Sequence, residues 1–275
     1  MTIHCREKIL DLTIPKIMGI LNLTPDSFYD GGKFGDAQEA LKHTEKMLSE
    51  GAAIIDMGAM SSRSGAAILS GEEELQRLLP VLEAVRKKFP EALISVDTLR
   101  AKVAQEALER GAHIINDITA GRFEPEILEV TAHYKAAFVA MHMQGLPATM
   151  QKEPYYENVT SEVLAFFEER LNACHEAGIK DVILDVGFGF GKTTEHNYAL
   201  LDALEQFTQQ NAPVLAGLSR KSMICKLLKV NPENALAGTI AANTIALIKG
   251  ATILRVHDVK EAVQTVEVFR AANSR

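Results

Sequence analysis

The stretch EEELQRLLPVLEAVRKKFPEALISVD, residues 72–97, changes period halfway along. Leu75, Leu78, Leu79, Leu82 and Val85 recur at helical spacing with charged residues between them. The run ALISVD (92–97) that follows is apolar, too short for a helix, and ends in Asp97. An apolar strand after an amphipathic helix points to a parallel sheet covered on both faces. The same alternation continues outward in both directions. Further strand-like runs are KIMGILN (16–22), AAIIDMG (52–58), AHIIND (112–117), AAFVAMH (136–142), DVILD (181–185), PVLAGLS (213–219) and ATILRVH (251–257). Helical patterns such as DAQEALKHTEKMLSE (36–50) lie between them, and Gly51, Gly111, Gly178 and Gly250 stand where helices should stop. Eight such units predict an α/β chain forming a single (β/α)8 TIM barrel over residues 1–275, with a short N-terminal extension before the first strand. A doubly wound open sheet is the alternative.

Composition narrows the function classes. An apolar share of 47% fills a sizeable core. The net charge of -7 argues against a nucleic-acid backbone as partner. Cys5, Cys174 and Cys225 are scattered, with no metal-ligand spacing and no disulfide framework, so a reducing, cytoplasmic setting is expected. The opening MTIHCREKIL is charged and gives no sign of a signal peptide. The most apolar helical segment, ALAGTIAANTIALI (235–248), is too short to span a bilayer. It is expected to be buried on most sides, in the core or at a subunit interface.

The strands end in Asn22, Asp56, Asp97, Asn116–Asp117, His142, Asp185, Ser219–Arg220–Lys221 and Arg255–His257. In a parallel barrel these ends share one rim, where barrel active sites are built. Side chains alternate along a strand, so Asp117 must point away from Asn116, while Arg255 and His257 share a face. Asp97, Asn116 and Asp185 can read the donor and acceptor edge of a planar heterocycle. Arg63, Arg220, Lys221, Arg255 and His257 form a cationic set suited to a phosphate-type anion. Lys221 and Ser222 open the helix after the seventh strand, where free N–H groups favour an anion. The segment GFGFGKT (187–193) imitates a phosphate loop, but that pattern needs glycine where Val186 stands, so a mobile glycine-rich loop is expected. No GxSxG nucleophile elbow is present. NLTPDSFYDGG (22–32) is longer than a hairpin connection needs, which marks it as a working loop.

Seven blocks in order carry a resemblance: IMGILNLTPDSFYDGGKF, GAAIIDMGAMSSRSGA, ISVDTLRAKVAQEALERGAHIINDI, VAMHMQGLPATMQ, VILDVGFGFGKTTEHNYALL, PVLAGLSRKSMI and ILRVHDVKEAV. By them the chain resembles the dihydropteroate synthase family. The resemblance implies a dimeric barrel that joins p-aminobenzoate to 6-hydroxymethyl-7,8-dihydropterin diphosphate, yielding 7,8-dihydropteroate and pyrophosphate with Mg2+ assisting. It implies a pterin pocket of Asp97, Asn116, Asp185 and Lys221, with Met141 and Phe190 packing and Arg255 over the ring. Asn22, Arg63, Arg255 and His257 match the diphosphate site, and Asn22 the residue that helps hold Mg2+. Phe28, Ser62, Lys221 and Ser222 match the p-aminobenzoate side, and NLTPDSFYDGG becomes a lid over that substrate. Asp97, Asp185, Lys221 and Arg255 are the implied catalytic set, acting in a dissociative displacement.

Four positions depart from the family pattern. Ser62-Arg63-Ser64 replaces Thr-Arg-Pro, Met60 stands where an acidic residue is common, and Val186 replaces proline. These changes bear on p-aminobenzoate affinity and sulfonamide response. Two other readings stay open: a pterin-binding methyltransferase module that would not need the cationic rim, and an inactive pterin-binding paralogue. Neither requires pyrophosphate release.

Overall fold

The computed structural model describes residues 1–23, 33–60, 69–145, 150 and 153–273. Strands β1 (Thr2–Cys5) and β2 (Lys8–Asp11) form an antiparallel hairpin. Eight parallel strands follow: β3 (Lys16–Asn22), β4 (Ile54–Gly58), β5 (Leu93–Asp97), β6 (Ile114–Asp117), β7 (Ala137–Met141), β8 (Val182–Asp185), β9 (Val214–Ala216) and β10 (Ile253–Val256). They close in the order β10-β3-β4-β5-β6-β7-β8-β9, so β10 pairs with both β3 and β9. That closure settles the choice between a barrel and an open sheet. Apart from β3, the strands run shorter than their apolar patterns, because flanking residues such as Ala92, Ala112, Ala136 and Ala251 lie outside the strands.

Helices α1 (Lys33–Ser49), α2 (Gly71–Lys88), α3 (Ala101–Glu109), α4 (Glu126–His133), α5 (Val159–Ala177), α6 (Thr194–Asp202), α7 (Leu204–Phe207), α8 (Ser222–Leu228), α9 (Leu236–Ile248) and α10 (Val259–Asn273) lie among the strands. The helix α2 starts with a capping box, in which the Ser70 hydroxyl accepts from Glu73 N–H and the Glu73 carboxylate accepts from Ser70 N–H. The four glycines read as helix stops all adopt positive φ, between 91° and 103°.

Strand parity divides the apolar residues into two layers. Ile17, Leu21, Ile55, Met57, Ile94, Val96, Ile115, Phe138, Leu184, Val214 and Leu254 face outward onto the helices. Met18, Ile54, Leu93, Ile114, Val139, Ile183, Leu215 and Ile253 face inward. Ile3, Cys5, Leu10 and Leu12 of the hairpin join this inner cluster. The N-terminal extension is therefore a plug for the bottom of the barrel, which leaves the opposite mouth for chemistry.

The helix α9 is buried on one face only within this chain. It buries Thr239, Ala242, Asn243, Ala246 and Leu247 but leaves Ile245 and Ile248 exposed. One stripe packs on the barrel and a second, also apolar, faces outward.

Candidate active site

The pleat that aims Met18 and Ile54 into the barrel also aims polar residues into it, one or two steps nearer the C-terminal rim. Asp56 lies beside Ser95 in register, Asp97 beside Asn116, and Met141 beside Asp185. Asn116 donates its amide N–H to Asp56 Oδ2 at 3.1 Å. Arg255 donates Nε–H to the same oxygen at 2.7 Å and Nη2–H to Asp97 Oδ2 at 2.9 Å. Asp117 points the other way, as the pleat requires, and its carboxylate accepts from Thr119 and Gly121 in the following turn.

Asp97, Asn116, Met141, Asp185, Phe190, Lys221 and Arg255 line one cup of about 330 Å³. Ile118, Gly187, Phe188 and Gly217 complete its wall. Lys221 Nζ stands 4.2 Å from the centroid of the Phe190 ring, within cation–π range. Asp185 Oδ1 accepts from Gly187 N–H at 2.8 Å. Two carboxylates, Asp97 and Asp185, thus share the cup with two cations, Arg255 and Lys221, while the buried Asp56 holds Arg255 and Asn116 from behind.

Burial sets the protonation balance. It pushes Asp97 up to about 7, against the pull of Arg255. It also raises Asp185, opposed by the Gly187 N–H and by the Lys221, Arg255 and Lys192 charges. Lys221 is driven down to about 8 by burial, with Asp185 partly restoring it. Burial works against the Arg255 charge as well, but Asp56 and Asp97 more than offset it. The cup is therefore polarised before any ligand arrives.

The rim residues differ from expectation in two respects. Arg220 has φ +56° and is held by Asp258, with Nε 3.0 Å from Oδ2 and Nη2 2.6 Å from Oδ1, so it does not join the cationic cup. His257, expected among the cations, is exposed as a residue, yet crowding around its ring and then the Arg255 and Arg220 charges press its pKa down to about 4. Its Nδ1 lies 3.0 Å from Ser219 Oγ. Asp258 is engaged by Arg220, so Ser219, His257 and Asp258 do not form a triad.

Asn22 sits half-buried at the end of β3, paired with Gly58, which in turn neighbours Asp97. Ser222, exposed, begins α8 directly after Lys221. Phe28, Ser62, Arg63 and Ser64 lie outside the described residues. Met60 packs with Met141 and Phe190 among apolar side chains, and Val186 is wholly buried. Both departures thus fill apolar positions.

A divalent ion was tested against these groups. Among the described residues, no group of three or more His, Cys, Asp and Glu could hold a metal. One asparagine oxygen at the rim suits Mg2+ only if substrate phosphate oxygens and waters supply the remaining ligands. The residues fit an ion that arrives with a diphosphate, not a resident one.

A family model described as pterin binding enzyme matches residues 18–257, from the first inward methionine of β3 to the histidine after β10. The chain belongs to the pterin-binding enzyme family. Within it, dihydropteroate synthase of Haemophilus influenzae is 50% identical over 273 residues, covering 98% of each chain. The structure of the Yersinia pestis dihydropteroate synthase with a sulfonamide drug superposes with a TM-score of 0.94 at 45% identity, covering 100% of both chains. The Xanthomonas albilineans enzyme with 4-aminobenzoic acid gives 0.93 at 40% identity, covering 100% of this chain and 98% of that one.

Two features of this pterin-binding barrel were missed in the sequence. Asp56 appeared as a strand end but entered neither residue set, although its parity with Ser95 and Gly58 already aimed it inward. The glycines of segment 187–193 lead one to expect a mobile loop. Instead Gly187, Phe188, Phe190, Gly191 and Lys192 are buried, and the segment is packed against the end of β7.

Proposed function

We propose that this chain joins the methylene carbon of 6-hydroxymethyl-7,8-dihydropterin diphosphate to the amine of p-aminobenzoate, releasing pyrophosphate and forming 7,8-dihydropteroate. The observation that carries the reading is the cup. A bicyclic ring with amide-like edges needs carboxylates, an amide and a cation around a small apolar slot, and Asp97, Asn116, Asp185 and Lys221 surround one that contains Met141 and Phe190. Asp97, Asn116, Asp185, Lys221 and Arg255 bind the ring in this reading. Asn22, Arg63, Arg255 and His257 take the diphosphate, and Phe28, Ser62, Lys221 and Ser222 the benzoate. The sulfonamide bound to the Yersinia pestis protein suggests that this chain takes such drugs on the benzoate side.

The mechanism is a dissociative displacement. Among the described cup residues there is no cysteine and no base-activated serine, so no covalent intermediate on the protein is invoked. The bond from the methylene carbon to the diphosphate oxygen breaks first, and both its electrons leave with the diphosphate. Positive charge spreads from the methylene into the ring, where Asp97 and Asp185 stabilise it electrostatically. Arg255 links the two halves of the site, because it holds Asp97 and faces the departing oxygens. His257, neutral, can accept a hydrogen bond at Nδ1 from the Ser219 hydroxyl and present Nε2–H to the anion. The amine lone pair of p-aminobenzoate then bonds to the methylene, and the amine loses a proton. Mg2+, held by Asn22 and phosphate oxygens, would neutralise charge on the leaving group.

The exposed apolar stripe of α9 supports a homodimer. Ile245 and Ile248 are exposed on α9, as are Leu227 and Leu228 on α8 and Val268 on α10, two helices that contact α9. A monomer by sedimentation at micromolar concentration would remove that part of the proposal. No described helix is long and apolar enough to cross a membrane. Three unpaired cysteines support a cytoplasmic setting, which cell fractionation can test.

The reaction is tested by mixing both substrates and following pyrophosphate together with dihydropteroate. Sustained pyrophosphate release, with dihydropteroate formed in equal amount, should require p-aminobenzoate as the acceptor. Binding of the pterin diphosphate without turnover would favour the inactive paralogue. Methyl transfer from a methylated folate would favour the methyltransferase module.

A further inference from the structure

The glycine loop between β8 and α6 fails as a phosphate loop, yet it ends in a lysine turned away from solvent. Lys192 is 3% exposed. Its Nζ lies 2.9 Å from His142 Nδ1, 3.2 Å from His142 O, 3.0 Å from Gly187 O and 3.0 Å from Phe190 O. An ammonium carries three protons, so this cage satisfies it completely without a carboxylate in contact. Burying such a charge among neutral acceptors opposes folding, and burial drives the Lys192 pKa down to about 7. A group retained against that cost has a task beyond filling space.

The cage shows what the task is. Two of its carbonyls belong to residues that line the cup. Gly187 supplies the N–H that bonds Asp185, and Phe190 supplies the ring beside Lys221. The remaining acceptors belong to His142, just beyond β7, whose ring packs edge-on to Phe166 at 4.8 Å. The loop backbone is drawn close to this strand end. Gly187 and Gly191 have φ of 68° and 62°, and a Cβ at either would collide with the carbonyl of His142 or Gln144. Tyr156 donates its hydroxyl to Gly191 O at 2.9 Å, and Asn197 accepts from Gly189 N–H at 2.6 Å. Lys192 itself does not line the cup.

We propose that Lys192 is a positioning residue for the ring-binding cup: its ammonium gathers the Gly187 and Phe190 carbonyls onto His142 and so fixes the Phe190 ring and the Gly187 N–H that orients Asp185. This rests on the pterin reading of the cup. The clamp acts on ring binding through neighbours, and its link to the benzoate side among the described residues is the Phe190 ring beside Lys221, which the larger effect on the pterin substrate should reflect. Lys192→Met keeps the length but no donor. Lys192→Gln keeps two donors without the charge. His142→Phe keeps an aromatic ring and removes only the Nδ1 acceptor.

The probe is 6-hydroxymethyl-7,8-dihydropterin, which lacks the diphosphate, titrated into each protein by calorimetry, followed by steady-state kinetics with both substrates. In Lys192→Met, dihydropterin affinity should fall by about tenfold or more, as expected when a binding group is misplaced by about 1 Å. The KM of the pterin diphosphate should rise by the same factor, with the KM of p-aminobenzoate within about twofold of wild type. Lys192→Gln and His142→Phe should show smaller losses in the same direction. Should Lys192→Met fail to fold, those two variants carry the test. Wild-type dihydropterin affinity in a folded Lys192→Met, or in both milder variants, overturns the clamp while leaving the pterin reading intact. Equal losses for the two substrates also overturn it, reducing Lys192 to general stability. Failure of the wild type to bind dihydropterin overturns the reading of the cup and the clamp with it.

Discussion

The guanidinium Nε of Arg255 stands 2.7 Å from Asp56 Oδ2, and Asp56 is wholly out of water. The same guanidinium also holds Asp97, so one cation offsets two buried carboxylates that come from neighbouring strands. Removing it strands both. Arg255→Met should therefore lose activity and also about 3–5 kcal/mol of stability, the cost of an uncompensated buried charge. Asp56→Asn should cost less, because Arg255 keeps Asp97. Urea unfolding of the three proteins checks the order. An Arg255→Met variant as stable as wild type would show that the two carboxylates take up protons or water instead.

Lys221 should behave in the opposite way. Burial depresses its pKa to about 8, so in the fold its ammonium is less favourable than in the unfolded chain, where lysine titrates at about 10.4. The sign follows from proton counting. Between about pH 8 and about 10.4 the unfolded chain binds more protons at this site, so wild-type stability should rise with pH relative to Lys221→Met. Activity moves the other way. As pH passes about 8 the free protein loses this cation, and kcat/KM for the pterin diphosphate should decline. Lys221→Arg, which does not titrate in this range, should lack the alkaline limb at whatever rate it retains. A limb unchanged in Lys221→Arg would assign it to another group.

Much of this arrangement was legible before the fold was known, and particular residues show where legibility ended. The eight apolar runs and the helix-stop glycines sufficed for a parallel sheet covered on both faces and pointed to a barrel, but only the pairing of β10 with β3 excludes the open sheet. Strand parity sent Asn116 inward and Asp117 outward, since a two-residue period leaves no freedom. Parity is silent about partners. It could not show that Asp258 takes Arg220 out of the cup, or that Asp56 anchors both Arg255 and Asn116 from beneath it. The fate of Lys192 was hidden for a different reason. A glycine-rich segment looks mobile in sequence because glycine permits many conformations, whereas in the fold three positive-φ glycines at 187, 189 and 191 are what let the backbone pack against β7.

The hairpin at the bottom of the barrel offers a separation of stability from function. Ile3 is 3% exposed and packs in the inner cluster with Met18, Ile54 and Ile253, at the end opposite the cup. Ile3→Ala should lower stability by about 2–4 kcal/mol, the usual range for truncating a buried aliphatic residue. Turnover per folded molecule at low temperature should stay at the wild-type value, because no residue of the cup touches the plug. Differential scanning calorimetry beside the pyrophosphate assay measures both. A selective loss of turnover without a fall in melting temperature would mean that the plug supports the site in some further way.

The metal prediction turns on Asn22. A single neutral amide oxygen is too poor a ligand to retain Mg2+ in competition with water, so the ion should depend on the diphosphate for its place. Chelation by EDTA should leave the affinity for 6-hydroxymethyl-7,8-dihydropterin unchanged, since that ligand engages only the cup. The affinity for the diphosphate ester should fall on chelation, and so should pyrophosphate release. Asn22→Ala should narrow the difference between the two conditions by weakening the ester in Mg2+, with little effect in EDTA. Calorimetric titrations of both ligands, with and without chelator, give the four affinities needed. Loss of dihydropterin binding on chelation would place the ion in the cup itself, contrary to the fit of its residues.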